Sequence, residues 1–83
     1  MKAIQHSEFG GFEVLKYMDV QEPKPGPCEA LIELAAIGVN FADTYTRTGV
    51  RPVPLPAIPG VEGAGVVLEV GENVTEVVVG DLV

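Results

Sequence analysis

Gly60-Val61-Glu62-Gly63-Ala64-Gly65-Val66-Val67-Leu68-Glu69-Val70-Gly71-Glu72-Asn73 is the stretch whose reading decides the fold. Its glycines invite comparison with a phosphate-binding loop. The dinucleotide fingerprint, however, needs a third glycine at a fixed offset and a helix whose N-terminus receives the pyrophosphate. Gly63-Ala64-Gly65-Val66-Val67-Leu68 lacks that glycine and runs into β-branched residues. Branching at Cβ favours the pleated, half-buried surface of a sheet. Residues 61–70 are therefore predicted as a strand, with the glycines placed for close strand packing. Gly71-Glu72-Asn73 reads as a hairpin turn, Val74 to Val79 as the next strand, and Gly80-Asp81 as another turn before an unfinished Leu82-Val83.

Upstream, the prolines at 52, 54, 56 and 59 mark a loop, because proline cannot donate to a ladder. Asn40-Phe41-Ala42-Asp43 predicts a helix start, with Asn40 as N-cap and Asp43 three residues on, where a carboxylate meets free amides. Gly49 and the prolines keep that helix short. Ala30 to Val39 is predicted as a long strand. Glu22-Pro23-Lys24-Pro25-Gly26-Pro27 is a connection. Residues 2–6 and 13–20 are predicted as two strands around a Phe9-Gly10-Gly11 turn. The expected fold is a mainly β, mostly antiparallel domain with one short helix, incomplete at its C-terminal end.

Eighty-three residues make at most one small domain. The composition, 47% hydrophobic and 20% charged, is globular. A net charge of −7 without a basic patch repels nucleic acid and anionic membranes, so neither is an expected partner. The single cysteine, Cys28, rules out an internal disulfide and points to a reducing, cytoplasmic setting. No signal peptide and no run long enough to span a membrane is present.

No residue set here is self-sufficient for catalysis. His6 is the only histidine, is read as a strand-edge side chain, and forms no metal-ligand cluster with Cys28. Glu62, between small residues after the proline loop, is either a solvated carboxylate or a paired one at an active-site edge. Asn40 and Asp43 are accounted for by capping, and Phe41 with Tyr45, four apart on a helix, by packing. Arg47 and Arg51 near the proline loop could meet an anion, but two separated arginines are weak evidence of such a site.

Taken together, Gly60-x-Glu62-x-x-Gly65, Gly71, Val74 and Gly80-Asp81 resemble the medium-chain dehydrogenase/reductase superfamily. Ala36-Ile37-Gly38-Val39-Asn40-Phe41-Ala42-Asp43-Thr44-Tyr45 resembles its quinone oxidoreductase branch, the zeta-crystallin-like group. Gly10-Gly11-Phe12-Glu13-Val14-Leu15 and Pro25-Gly26-Pro27 fit the same branch, and the resemblance covers essentially the whole chain. It implies a GroES-like, partly open β-barrel over residues 1–83, truncated and without the Rossmann domain that would hold most of the nucleotide. It implies an N-terminal fragment of a zinc-independent reductase that moves a hydride from NADPH to quinones or enones. This fragment would be inactive alone and prone to self-association. Asn40, Asp43 and Tyr45 match cofactor-binding positions, and Arg51 and Glu62 are substrate-cleft candidates. Relatives often carry a tyrosine just after the glycine matching Gly49, where this chain has Val50-Arg51. Zinc-dependent members place a cysteine and a histidine where this chain has Asn40 and Val61, and an amide and a valine cannot replace those ligands. The competing reading is a free-standing β module that binds a partner and catalyses nothing.

Overall fold

The computed structural model describes residues 1–83. Four strands, a single 3₁₀ turn and one α-helix follow each other along the chain. They are β1 (Lys2–Gln5), the turn at Phe12–Val14, β2 (Lys16–Asp19), β3 (Ala30–Ile37), α1 (Asp43–Thr48) and β4 (Gly63–Val70). The strands form two open two-stranded antiparallel sheets, β1–β2 and β3–β4. This is the mainly β architecture with one short helix expected from the sequence. The chain divides into two compact units, Met1–Gln21 with Gly38–Val61, and Glu22–Ile37 with Glu62–Val83.

In the first unit, β1 pairs with β2 from Lys2 opposite Asp19 to Gln5 opposite Lys16. An exposed ion pair between Lys2 Nζ and Asp19 Oδ2, 2.8 Å long, closes the end of this ladder; exposed pairs of this kind add little stability. The expected strand over 13–20 starts late. Its first residues are drawn into the 3₁₀ turn, where Leu15 N–H donates to Phe12 O at 3.1 Å and Gly11 N–H to the Glu13 carboxylate at 3.2 Å. Val14 is buried as a result, at 5% exposure. Beyond β1, His6 and the proline loop exchange both backbone hydrogen bonds, His6 N–H to Ala57 O and Ala57 N–H to His6 O, each 2.9 Å. That bridge anchors a segment with few amides of its own to give.

In the second unit, β3 and β4 pair from Ala30 opposite Val70 to Ile37 opposite Gly63. The register shifts between Leu31 and Ile32 and again between Leu34 and Ala36. β4 alternates as a half-buried strand should: Gly65 and Val67 are buried, and Leu68 is exposed. Close strand packing explains Gly65, as expected, but not Gly60, which has nothing within 4 Å and a φ of 121°. A Cβ on Gly65 would run into the carbonyl oxygen of Glu33 and lie 2.9 Å from Leu34 Cα.

The predicted strand over 74–79 does not form. The amides after the turn are taken elsewhere: Gly71 N–H donates to Glu29 O and Asn73 N–H to Pro27 O, both 2.8 Å, and Val74 N–H to Gly71 O. Val78 N–H is held by the Asp81 carboxylate at 2.9 Å. The place beside β4 goes to residues 81–83. There Val67 N–H donates to Asp81 O, Gly65 N–H to Val83 O and Val83 N–H back to Gly65 O, over 2.9–3.0 Å. A valine-rich run is thereby left out of the sheet while the last residues enter it.

Candidate functional site

α1 is six residues long and ends at Gly49, whose φ of 89° is the left-handed cap that glycine adopts without strain. Its start differs from the expected one. The Asn40 side chain makes no capping bond. Instead the Asp43 carboxylate reaches back to accept Asn40 N–H at 3.0 Å, and Asp43 N–H donates to Asn40 O at 3.0 Å. The carboxylate half of a capping box is thus present without the N-cap half. The Asn40 Nδ2 is buried and has no hydrogen-bond partner in the chain.

Tyr45 stands on the same helix. Its ring meets Phe41 edge-on at 5.5 Å between centroids, the geometry that aromatic quadrupoles favour. The Arg51 guanidinium carbon lies 5.8 Å from the Tyr45 ring centroid, and Arg51 N–H donates to Tyr45 O at 3.0 Å. The first unit thus places Asn40 just before α1, Asp43 and Tyr45 on it, and Arg51 in the loop that follows. Glu62 belongs to the second unit and is exposed. No three histidine, cysteine, aspartate or glutamate side chains converge anywhere in the chain. Cys28 is an exposed free thiol on a turn.

Sequence reasoning misplaced His6. It is not a strand-edge side chain: it is completely buried, with 0% exposure. Its Nδ1 lies 3.0 Å from Glu8 O, and its Nε2 is buried without a partner in the chain. It lines a pocket of about 260 Å³ with the α1 residues Ala42, Asp43 and Thr46, and with Arg51 and the apolar residues of the proline loop. The alternation of β1 gives no sign of this.

The alcohol dehydrogenase GroES-like domain family matches residues 26–83. Quinone oxidoreductase of Pseudomonas aeruginosa is 52% identical over 83 residues, covering 99% of this chain and 26% of that protein. Among solved structures, quinone oxidoreductase of Pseudomonas syringae superposes with a TM-score of 0.94 at 51% identity, covering 98% of this chain and 25% of the other. Escherichia coli quinone oxidoreductase complexed with NADPH gives 0.93 at 40% identity, with 99% and 26% covered. A cobalt- and zinc-bound alcohol dehydrogenase from Pyrobaculum aerophilum also matches, with a TM-score of 0.89 at 43% identity and 99% and 25% covered. The chain spans about a quarter of the length of these relatives. It belongs to the alcohol dehydrogenase GroES-like domain family, as an N-terminal domain of the quinone oxidoreductase branch of the medium-chain dehydrogenases/reductases.

Proposed function

We propose that these 83 residues are the N-terminal part of a cytoplasmic, zinc-independent reductase that transfers a hydride from NADPH to quinones or enones. The observation that carries this reading is the match along 99% of the chain to Escherichia coli quinone oxidoreductase complexed with NADPH, at 40% identity. Asn40 would hold the nicotinamide end of the cofactor, Asp43 would position Asn40, and Tyr45, braced by Phe41 and Arg51, would line the same face of the site. NADPH supplies the hydride when bound. Arg51 and Glu62 remain candidates for the acceptor side. Residues 60–65 lead into β4, so no helix N-terminus is offered there for a pyrophosphate. We assign that role to a separate Rossmann domain beyond these residues.

Two measurements test the reading. The isolated chain is expected to show no micromolar affinity for NADPH by calorimetry and no quinone reduction. A chimaera in which it replaces the matching quarter of the Pseudomonas aeruginosa enzyme is expected to reduce quinones with NADPH. In that chimaera Asn40→Ala is expected to lower kcat/KM by roughly tenfold to a hundredfold, the scale of one or two lost hydrogen bonds to a ligand. A chimaera that folds and stays inactive, or Asn40→Ala at full activity, contradicts the assignment.

The zinc proposal rests on the donor set, since Asn40 and Val61 offer neither thiolate nor imidazole. Elemental analysis of chelator-free chimaera is expected to find far less than one zinc per chain at this site. One tightly bound zinc lost on Asn40→Ala would overturn the proposal.

A further inference from the structure

Arg51 carries a charge that no group in the chain answers. The single salt bridge joins Lys2 to Asp19, so the Arg51 guanidinium has no carboxylate partner. The other arginine is committed: Arg47 Nε donates to Gly10 O at 3.2 Å. Arg51 is nevertheless held. Its backbone N–H is bound by Tyr45 O at 3.0 Å, and its guanidinium carbon stands 5.8 Å from the Tyr45 ring centroid. Pro52 follows it and restricts its backbone to extended conformations. A guanidinium anchored in this way loses less freedom on meeting an anion than a free surface arginine does.

Arg51 also stands at the exposed side of the pocket of about 260 Å³ in the first unit. Beyond it the wall is methyl and methylene surface from Val53, Ala57, Ile58, Pro59 and Val61. Asp43 is the one carboxylate on that wall. It is engaged by Asn40 N–H and forms no ion pair with Arg51. Asp43 thus joins the pocket to the helix start assigned to the nicotinamide end, where an acceptor has to lie. An apolar cavity of about 150 Å³ takes up a benzene ring, so this pocket has room for one ring and a short arm.

The charge of the chain is divided unevenly. The first unit has four basic residues (Lys2, Lys16, Arg47, Arg51) and four acidic ones (Glu8, Glu13, Asp19, Asp43), a balance of zero. The second has Lys24 against eight acidic residues and carries the whole −7. An anion at Arg51 therefore meets a unit without net negative charge.

We propose that Arg51 selects acceptors bearing a carboxylate on a short arm, its guanidinium taking the carboxylate while the quinone or enone ring enters the apolar part of the pocket. The planar fork of arginine matches a carboxylate with two parallel hydrogen bonds. This inference rests on the reductase reading and adds a substrate class to it.

The test compares 2-carboxymethyl-1,4-benzoquinone with its methyl ester in the chimaera described above. The methylene insulates the ring, so the two differ chiefly in charge. The acid is expected to have the higher kcat/KM, by at least about threefold and through KM, the scale of a partly exposed ion pair. That ratio should shrink as salt rises from about 20 mM to about 500 mM. Arg51→Gln is expected to bring it to about one, and Arg51→Lys, which keeps the charge and loses the fork, to restore part of it. The readout is the ratio, whatever the rate on the ester. Equal values for acid and ester, or a preference that survives Arg51→Gln, would overturn the proposal. Binding without turnover separates the two readings. On the 83-residue chain, ligand-observed NMR is expected to show phenylacetate bound in preference to phenylacetamide, and Arg51→Gln to equalise them. An inactive chimaera with that preference intact refutes the reductase reading alone. An active chimaera without it refutes the role of Arg51 alone.

Discussion

Gly65→Ala is expected to abolish the fold of the second unit. The added methyl would run into the Glu33 carbonyl oxygen and come within 2.8 Å of Glu33 C and 2.9 Å of Leu34 Cα. These are backbone atoms of the paired strand and cannot swing aside as a side-chain end can. β3 and β4 would have to separate where Gly65 stands opposite Leu34, and the two hydrogen bonds between Gly65 and Val83 would go with them. Overpacking a well-packed position costs about 1–3 kcal/mol and more where backbone must move. A domain this small has about 3–5 kcal/mol to lose. Gly71→Ala should behave alike, because its methyl would meet the carbonyl oxygens of Gly26 and Pro27. Gly63→Ala is the milder case: its nearest neighbour is the Leu34 Cδ2 methyl at 2.8 Å, the mobile end of a side chain, and the nearest backbone atom is Ala36 O at 3.2 Å. Gly80→Ala meets nothing within 4 Å but sits at φ 95°, so only a conformational cost of about 1 kcal/mol is expected. Circular dichroism melting checks the series. Gly65→Ala should lose its cooperative transition and Gly63→Ala should keep one. A Gly65→Ala melt within a few degrees of the unaltered chain would refute the packing argument.

The isolated chain is expected to self-associate between low and high micromolar concentration. Only Val14 and Val67 are buried apolar side chains, while Ile37 is 64%, Val78 62%, Val79 61% and Leu82 84% exposed in the second unit alone. Apolar surface on this scale is an association site, and the open edges of two-stranded sheets add unpaired backbone groups. The net charge of −7 opposes association. Added salt screens that repulsion, so association should strengthen as ionic strength rises. Size-exclusion chromatography with light scattering should show a mass that grows with concentration and with salt. Val78→Glu with Leu82→Glu should return the chain toward the monomer. A sharp monomer at every concentration, with cooperative unfolding, would show that these residues cover their own surface. It would also favour a free-standing module over a part of a larger enzyme.

How far the sequence reaches is clearest residue by residue. The strands over 30–37 and 63–70, the short helix ended by Gly49 and the irregular proline loop were all legible. Each depends on local chemistry: branching at Cβ, the missing donor of proline, the freedom of glycine. The family was legible too, because its motifs are fixed positions along the chain. Asn40, Asp43 and Tyr45 were picked out as candidates by that pattern, and the structure adds that the Asp43 carboxylate, rather than the Asn40 side chain, closes the helix start.

Tertiary structure alone decided the rest. Val74 to Val79 has the composition of a strand and is not one, because residues 81–83 supply the hydrogen bonds beside β4 and Asp81 holds Val78 in a turn. His6 looks like the polar end of an edge strand, yet its side chain is completely buried and its backbone pairs with Ala57 of the distant proline loop. In both cases the outcome depends on which distant backbone groups reach a donor or acceptor first. Local propensity is worth a fraction of a kcal/mol per residue, whereas a buried amide left unpaired costs about 1–3 kcal/mol. Long-range pairing therefore overrides the local preference wherever the two disagree.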